Sequence, residues 1–159
     1  YNLGKQIERA DQTTRVLDIG YLSLAAGDDN AVVSVQWNAL VRSLAGYHLY
    51  RSKYPAGEYA RDVAVFMLFE PEFSRSVACC TDSITATLGR LKQRLPDVPT
   101  ERIDEAQATL TAMLEAQAKE PIRAAHLRQF LDQLQLAIAA VSQAIGTTYF
   151  PPEPDESQA

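Results

Sequence analysis

Residues 74–96, SRSVACCTDSITATLGRLKQRLP, decide the fold class. Within them Val77, Cys80, Ile84, Leu88, Leu91 and Leu95 recur at spacings of three and four, which gathers their side chains onto one stripe of an α-helix. A strand would need alternation at period two, and the stretch has none. Ser74 stands ahead of the stripe as an N-cap, and Pro96 closes it because proline cannot donate to the helical ladder. The apolar side of such a helix must be covered, so neighbouring segments have to supply matching stripes.

They do so in both directions. Upstream, Leu3, Ile7, Ala10, Thr14, Leu17, Tyr21 and Leu24 alternate spacings of four and three, until Gly27-Asp28-Asp29-Asn30 breaks the pattern. A second helix, Ala31 to Tyr54, is predicted from Trp37, Leu40, Leu44, Tyr47, Arg51 and Tyr54, which sets Arg51 where an apolar residue is expected. Pro55-Ala56-Gly57 ends it, the apolar segment Tyr59 to Phe69 reads as a short helix, and Glu70-Pro71-Glu72 turns the chain. Downstream, Thr100 caps a helix bearing Ile103, Ala106, Leu110, Met113 and Gln117 on its stripe, and Pro121 marks its end. A last helix carries Leu127, Leu131, Leu134, Ile138, Val141 and Ile145. The reading is all-α, an antiparallel helical bundle of five to six helices forming one domain over residues 1–150. Residues 151–159, acidic and proline-rich with nothing to bury, are expected to be a disordered tail.

Composition agrees and excludes several functions. A chain of 159 residues hides roughly 70 % of the surface its unfolded form exposes, enough for a real core. The 47 % hydrophobic and 22 % charged residues are those of a globular protein, and no apolar run reaches membrane-spanning length. With a net charge of -5 and a pI near 5.0, neither nucleic acid nor an anionic membrane is an expected partner, since both select positive surface. Two adjacent cysteines, Cys79 and Cys80, make no disulfide framework and favour a reducing, cytoplasmic setting. Tyr1 to Asp11 already read as helix interior, so the expectation is a chain whose true N-terminus is missing.

Candidate chemistry sits on the first helix. Glu8, Asp11, Arg15 and Asp18 follow at spacings of three, four and three, lining a stripe beside the apolar seam. Taken alone they are a solvated face with an Asp11–Arg15 pair. If an unbroken second helix folds back around residues 27–30, however, residues equally far from the turn meet. That geometry predicts a semi-buried cluster of Glu8, Asp11, His48 and Arg51, with Tyr47 and Tyr50 around it, because a guanidinium on an apolar seam requires a carboxylate. Fixing helix register is the plainer role for such a cluster, ahead of catalysis. No metal is expected: His48 and His126 are preceded three residues earlier by Ala45 and Arg123, not by the Glu a di-iron bundle needs. Glycine-rich phosphate loops and nucleophile elbows are absent, so no cofactor is implied. Arg75 and Ser76, at the start of the helix that carries Val77 to Leu95, could meet an anion, although capping by Ser74 explains the local pattern without a ligand.

Leu3-Gly4-Lys5-Gln6-Ile7-Glu8-Arg9-Ala10-Asp11, followed by Thr14 to Asp18, Trp37 to Leu40, Tyr47 to Arg51 and Phe69 to Val77, resembles the alpha-E domain family. These are bacterial helical proteins named for a Glu-Arg motif, which stands here as Glu8-Arg9. Lys5 occupies a position where Arg is usual, and Ser74 one where Pro is common. The resemblance implies a second half of a longer two-part protein, so one expected partner is the missing N-terminal half. It also implies association with circularly permuted ATP-grasp ligases and proximity to transglutaminase-like proteases, with a homo-oligomer left open. The resulting expectation is an accessory or substrate-binding module without independent catalysis, its polar site drawn from Glu8, Arg9, Asp11, Arg15, Tyr47, His48 and Arg51. The alternatives are an enzyme of peptide or amide metabolism using Glu8 or Asp11 as general base, with Arg residues holding an anion, and a purely structural bundle.

Overall fold

The computed structural model describes residues 1–24, 30–55 and 59–151. Among them the chain forms seven helices and no strand: α1 (Asn2–Leu24), α2 (Asn30–Ser43), α3 (Tyr47–Lys53), α4 (Tyr59–Phe69), α5 (Val77–Arg94), α6 (Glu101–Ala118) and α7 (Ala124–Tyr149). The expected break at Gly27-Asp28-Asp29, the Ala56-Gly57 stop and the tail from Pro152 onward lie outside the described residues.

Helix α5 begins two residues later than the sequence pattern suggests. Ser76, in extended conformation, is the N-cap, and its hydroxyl accepts from the Cys79 amide at 3.1 Å. Ser74 is instead held in the preceding turn, where its carbonyl accepts from the Cys80 thiol. The turn is anchored by Phe73, buried and stacked on Phe66 at 4.6 Å. Val77, Cys80, Ile84 and Leu88 are buried as their spacing requires, and Lys92 and Arg94 sit in the last turn, where the helix dipole favours cations. Leu95 remains 44 % exposed, past the point where neighbouring helices cover the stripe.

The predicted second helix is two helices. After Ser43 the chain makes a Schellman closure: the Ala45 amide donates to the Arg42 carbonyl at 2.9 Å and the Gly46 amide to the Val41 carbonyl at 3.0 Å. Ala45 takes a left-handed φ of 60° to do so. Gly46 is required by crowding, since a Cβ there would lie 2.9 Å from Phe73 and 3.0 Å from Phe66. Periodicity could not reveal this break, because Leu44 and Tyr47 continue the apolar spacing straight across it.

Helix α1 is the centre of the bundle, packing on α5, α7, α4 and, through its C-terminal end, α2. Ala10, Thr14 and Leu17 are fully enclosed and Leu3 and Ile7 are half-buried against the core, as the seam predicts. At Gly20 the absence of a side chain lets α2 approach, for a Cβ there would come within 2.5 Å of Leu40. Helix α4 buries Val63, Ala64, Phe66, Met67 and Leu68, so it is apolar around most of its circumference and lies inside the molecule. Helices α6 and α7 form a long antiparallel hairpin. All six stripe residues of α7 are buried, whereas on α6 Leu114 is enclosed in place of Met113, which is only half-buried.

Candidate functional site

The seven candidate residues separate into two groups. Glu8, Arg9, Asp11 and Arg15 lie on α1, and Tyr47, His48 and Arg51 on α3. Among the described residues no hydrogen bond or ion pair joins the groups, so the predicted cluster of Glu8, Asp11, His48 and Arg51 does not form. The cause is the break at Ala45-Gly46. The expectation carried one straight second helix along α1, whereas the chain turns off at that point and α1 meets α5 instead.

On α1, Glu8, Asp11 and Arg15 find local partners or the solvent, whereas Gln6 Oε1 and Asp18 Oδ1 are buried with no hydrogen-bond partner among the described residues. Asp11 and Arg15 form an i,i+4 pair at 2.7 Å, with side chains 32 % and 61 % exposed, and the hydrogen bond to Asp11 raises the Arg15 pKa. Glu8 is exposed and accepts from Gln12 at 3.1 Å. On α3, His48 is exposed and stands edge-on to Tyr47 with ring centroids 5.8 Å apart, while the Arg42 guanidinium covers Tyr47 at 4.2 Å. Arg51 is half-buried and has no hydrogen-bond or ion-pair partner among the described residues. Tyr50 is buried between Tyr54 and Phe66, part of the core rather than of a site.

The structure brings together residues that spacing did not. Thr13 is fully enclosed, and its hydroxyl donates to the Arg75 carbonyl at 2.8 Å, tying α1 to the turn before α5. Arg9 lies one helical turn before Thr13 on the same side of α1, so Arg9 and Arg75 approach one junction from different elements. Both guanidinium groups act on Cys80, opposing the burial that, with Cys79 beside it, drives its thiol up to about 11. Burial and Asp82 likewise push the Cys79 thiol up, against Arg9. Both cysteines are therefore protonated thiols at neutral pH and poor nucleophiles. Neither arginine has an ion-pair partner among the described residues. Thr13 sits next to the seam residue Thr14, but spacing alone does not mark it as enclosed; once buried, its hydroxyl must find an acceptor.

A second missed feature is Glu70, buried at 8 % exposure, whose Oε1 accepts from Lys53 Nζ at 2.8 Å and from the Glu72 amide at 3.1 Å. Lys53 also reaches Glu72 at 3.1 Å, so one ammonium fastens the end of α3 to the turn after α4. Among the described residues no group of three His, Cys, Asp or Glu side chains could hold a metal ion, and no helix is long and apolar enough to cross a membrane.

An all-α bundle with a charged pair on the surface of its central helix is the class defined by this arrangement. The chain belongs to the Alpha-E family, described as a predicted alpha-helical domain with a conserved ER motif, whose model matches residues 1–150. The Glu-Arg motif stands at Glu8-Arg9, with the glutamate in solvent and the arginine half-buried. No curated relative and no solved structure matches the chain.

Proposed function

We propose that this chain is a helical accessory module of an ATP-grasp-type peptide or amide ligase system, binding an anionic group through Arg9 and Arg75 and making no bonds itself. The observation that carries the reading is the hydrogen bond from Thr13, one turn beyond Arg9 on α1, to the Arg75 carbonyl, which places two arginines of separate elements, without ion-pair partners among the described residues, beside the α1–α5 junction. Arginine presents a planar fork suited to carboxylate or phosphate, the groups that a peptide ligase activates. The link to a ligase comes from the family resemblance, in which alpha-E domains accompany or are fused to such enzymes.

The enzyme reading needs a carboxylate free to take a proton inside a cavity. Asp11 is engaged by Arg15, Glu8 stands on open surface, and neither lines a described cavity, which favours binding over catalysis. The test is product formation by the accompanying ligase with and without this protein, as wild type and as Arg9→Met, Arg75→Met and Glu8→Gln. The wild type is expected to change rate or product. Each arginine variant is expected to lose that effect by roughly ten- to a hundredfold, the loss of one charge-assisted hydrogen bond, with helicity unchanged. No effect of the wild type on either rate or product removes the proposal. Variants that lower the melting temperature but leave the ligase unaffected would mark a structural bundle.

A further inference from the structure

Helices α5 and α6 run antiparallel but are joined at one end only. Lys92 pairs with Asp104, and Gln107 donates to Thr85, across the end near their connection. Towards the start of α5 and the end of α6 no such bond is made among the described residues, and α6 turns its main packing to α7. The helices there leave a cavity of about 220 Å³. Its apolar lining comes from Phe69, Ala78, Leu114 and Ala118, and its acidic lining from Asp82 of α5 and Glu115 of α6. Both carboxylates are exposed, and neither has an ion-pair partner among the described residues.

An apolar floor between two unpaired carboxylates on facing helices is complementary to one kind of group, an alkyl chain ending in a cation. The volume falls below the roughly 300–1,000 Å³ of pockets that enclose whole small ligands, so it suits a single long side chain. Lysine fits better than arginine. Its four-carbon stem can lie along the apolar floor while a compact ammonium with three donors is shared between carboxylates from two helices. The net charge of -5 favours a basic partner over an acidic one. We infer that the open end of the α5–α6 pair is a docking cleft for a lysine side chain flanked by apolar residues on a partner polypeptide. The cleft shares no residue with the Glu8-Arg9-Arg75 junction, so the inference stands or falls separately from the proposed anion site.

The test uses the whole chain labelled with ¹⁵N and three probes: acetyl-Leu-Lys-Leu-amide, its norleucine counterpart acetyl-Leu-Nle-Leu-amide, and hexylamine. The lysine peptide should shift the amides of Ala78, Asp82, Leu114 and Glu115. It should bind at least about tenfold more tightly than the norleucine peptide, and the difference should shrink as salt is added. An Asp82→Asn, Glu115→Gln double variant, changed only at exposed side chains and checked for native helicity, should bind the two peptides alike. Equal binding of the two peptides by the wild type, shifts confined to another surface, or undiminished lysine preference in the double variant would each overturn the inference. Hexylamine binding as tightly as the lysine peptide would also overturn it, because a free amine would then be the ligand and no polypeptide partner is needed.

Discussion

Glu70 shows most directly how a single residue is governed by its surroundings. Burial alone would push its carboxyl up, but the Lys53 hydrogen bond, the Glu72 amide and the charge of Lys53 together hold it below its ordinary value near 4.5. A carboxylate with a depressed folded-state pKa contributes stability above its unfolded pKa and loses it as pH falls through the folded value. Lys53 is shifted the other way, raised first by its hydrogen bond to Glu70 and then by Glu72, so its share is held below about 10.5 and lost as pH climbs through the raised value. The pair is therefore complete across neutral pH. Glu70→Gln should lower the melting temperature at pH 7, and its curve should converge on wild type as pH drops below about 4.5, because the neutral side chain has nothing further to lose. Thermal melts of both proteins between pH 7 and 3 provide the check; parallel profiles would assign the acid sensitivity to other groups. At this same scale Glu8-Arg9 divides its labour, one member facing water and the other turned toward the α5 junction.

At the level of elements, the decisive feature is the end of α2. Ala45 adopts φ 60°, a conformation that costs an L-residue about 1–2 kcal/mol. Ala45→Gly should relieve that strain, partly offset by glycine's greater unfolded freedom, for a net gain of about 0.5–1 kcal/mol in chemical denaturation. Gly46→Ala should act in the opposite direction by about 1–3 kcal/mol, since the new Cβ would press on the stacked Phe66–Phe73 rings. The two substitutions are adjacent and both concern helix propensity, which alone would have alanine favoured at both positions. Finding the signs as stated would show that backbone handedness and ring packing, not propensity, set the break. The same break sends Tyr47, His48 and Arg51 away from α1, so a local closure of a few residues determines which candidate residues can share a site.

The whole molecule is organised around α1, which touches both the N-terminal helices and the α6–α7 hairpin, and this predicts that the described helices melt as one unit. Leu131, fully buried on α7, tests it: Leu131→Ala should cost about 2–5 kcal/mol through the cavity it leaves. Trp37, the single tryptophan, is enclosed on α2 and reports from a different helix, so its fluorescence and the far-UV ellipticity should shift together. Separate transitions would divide the chain into two units. The α-helical class, the seams of α1, α5 and α7, the helical reading of Tyr59 to Phe69 and the Glu-Arg motif were all legible in the sequence. Helical periodicity is local: it depends on side chains three and four apart, and burial of the stripe follows wherever the helix packs. Which residues meet across helices was not legible. That depended on the direction the chain takes after Ser43, where Ala45 is held left-handed and Gly46 lies against Phe66 and Phe73. Contacts between residues far apart in sequence therefore determined that α1 is tied, through Thr13, to the Arg75 carbonyl and not to Arg51. Tertiary packing alone decides such partners, because a turn of one or two residues redirects every side chain beyond it while leaving the spacing pattern intact.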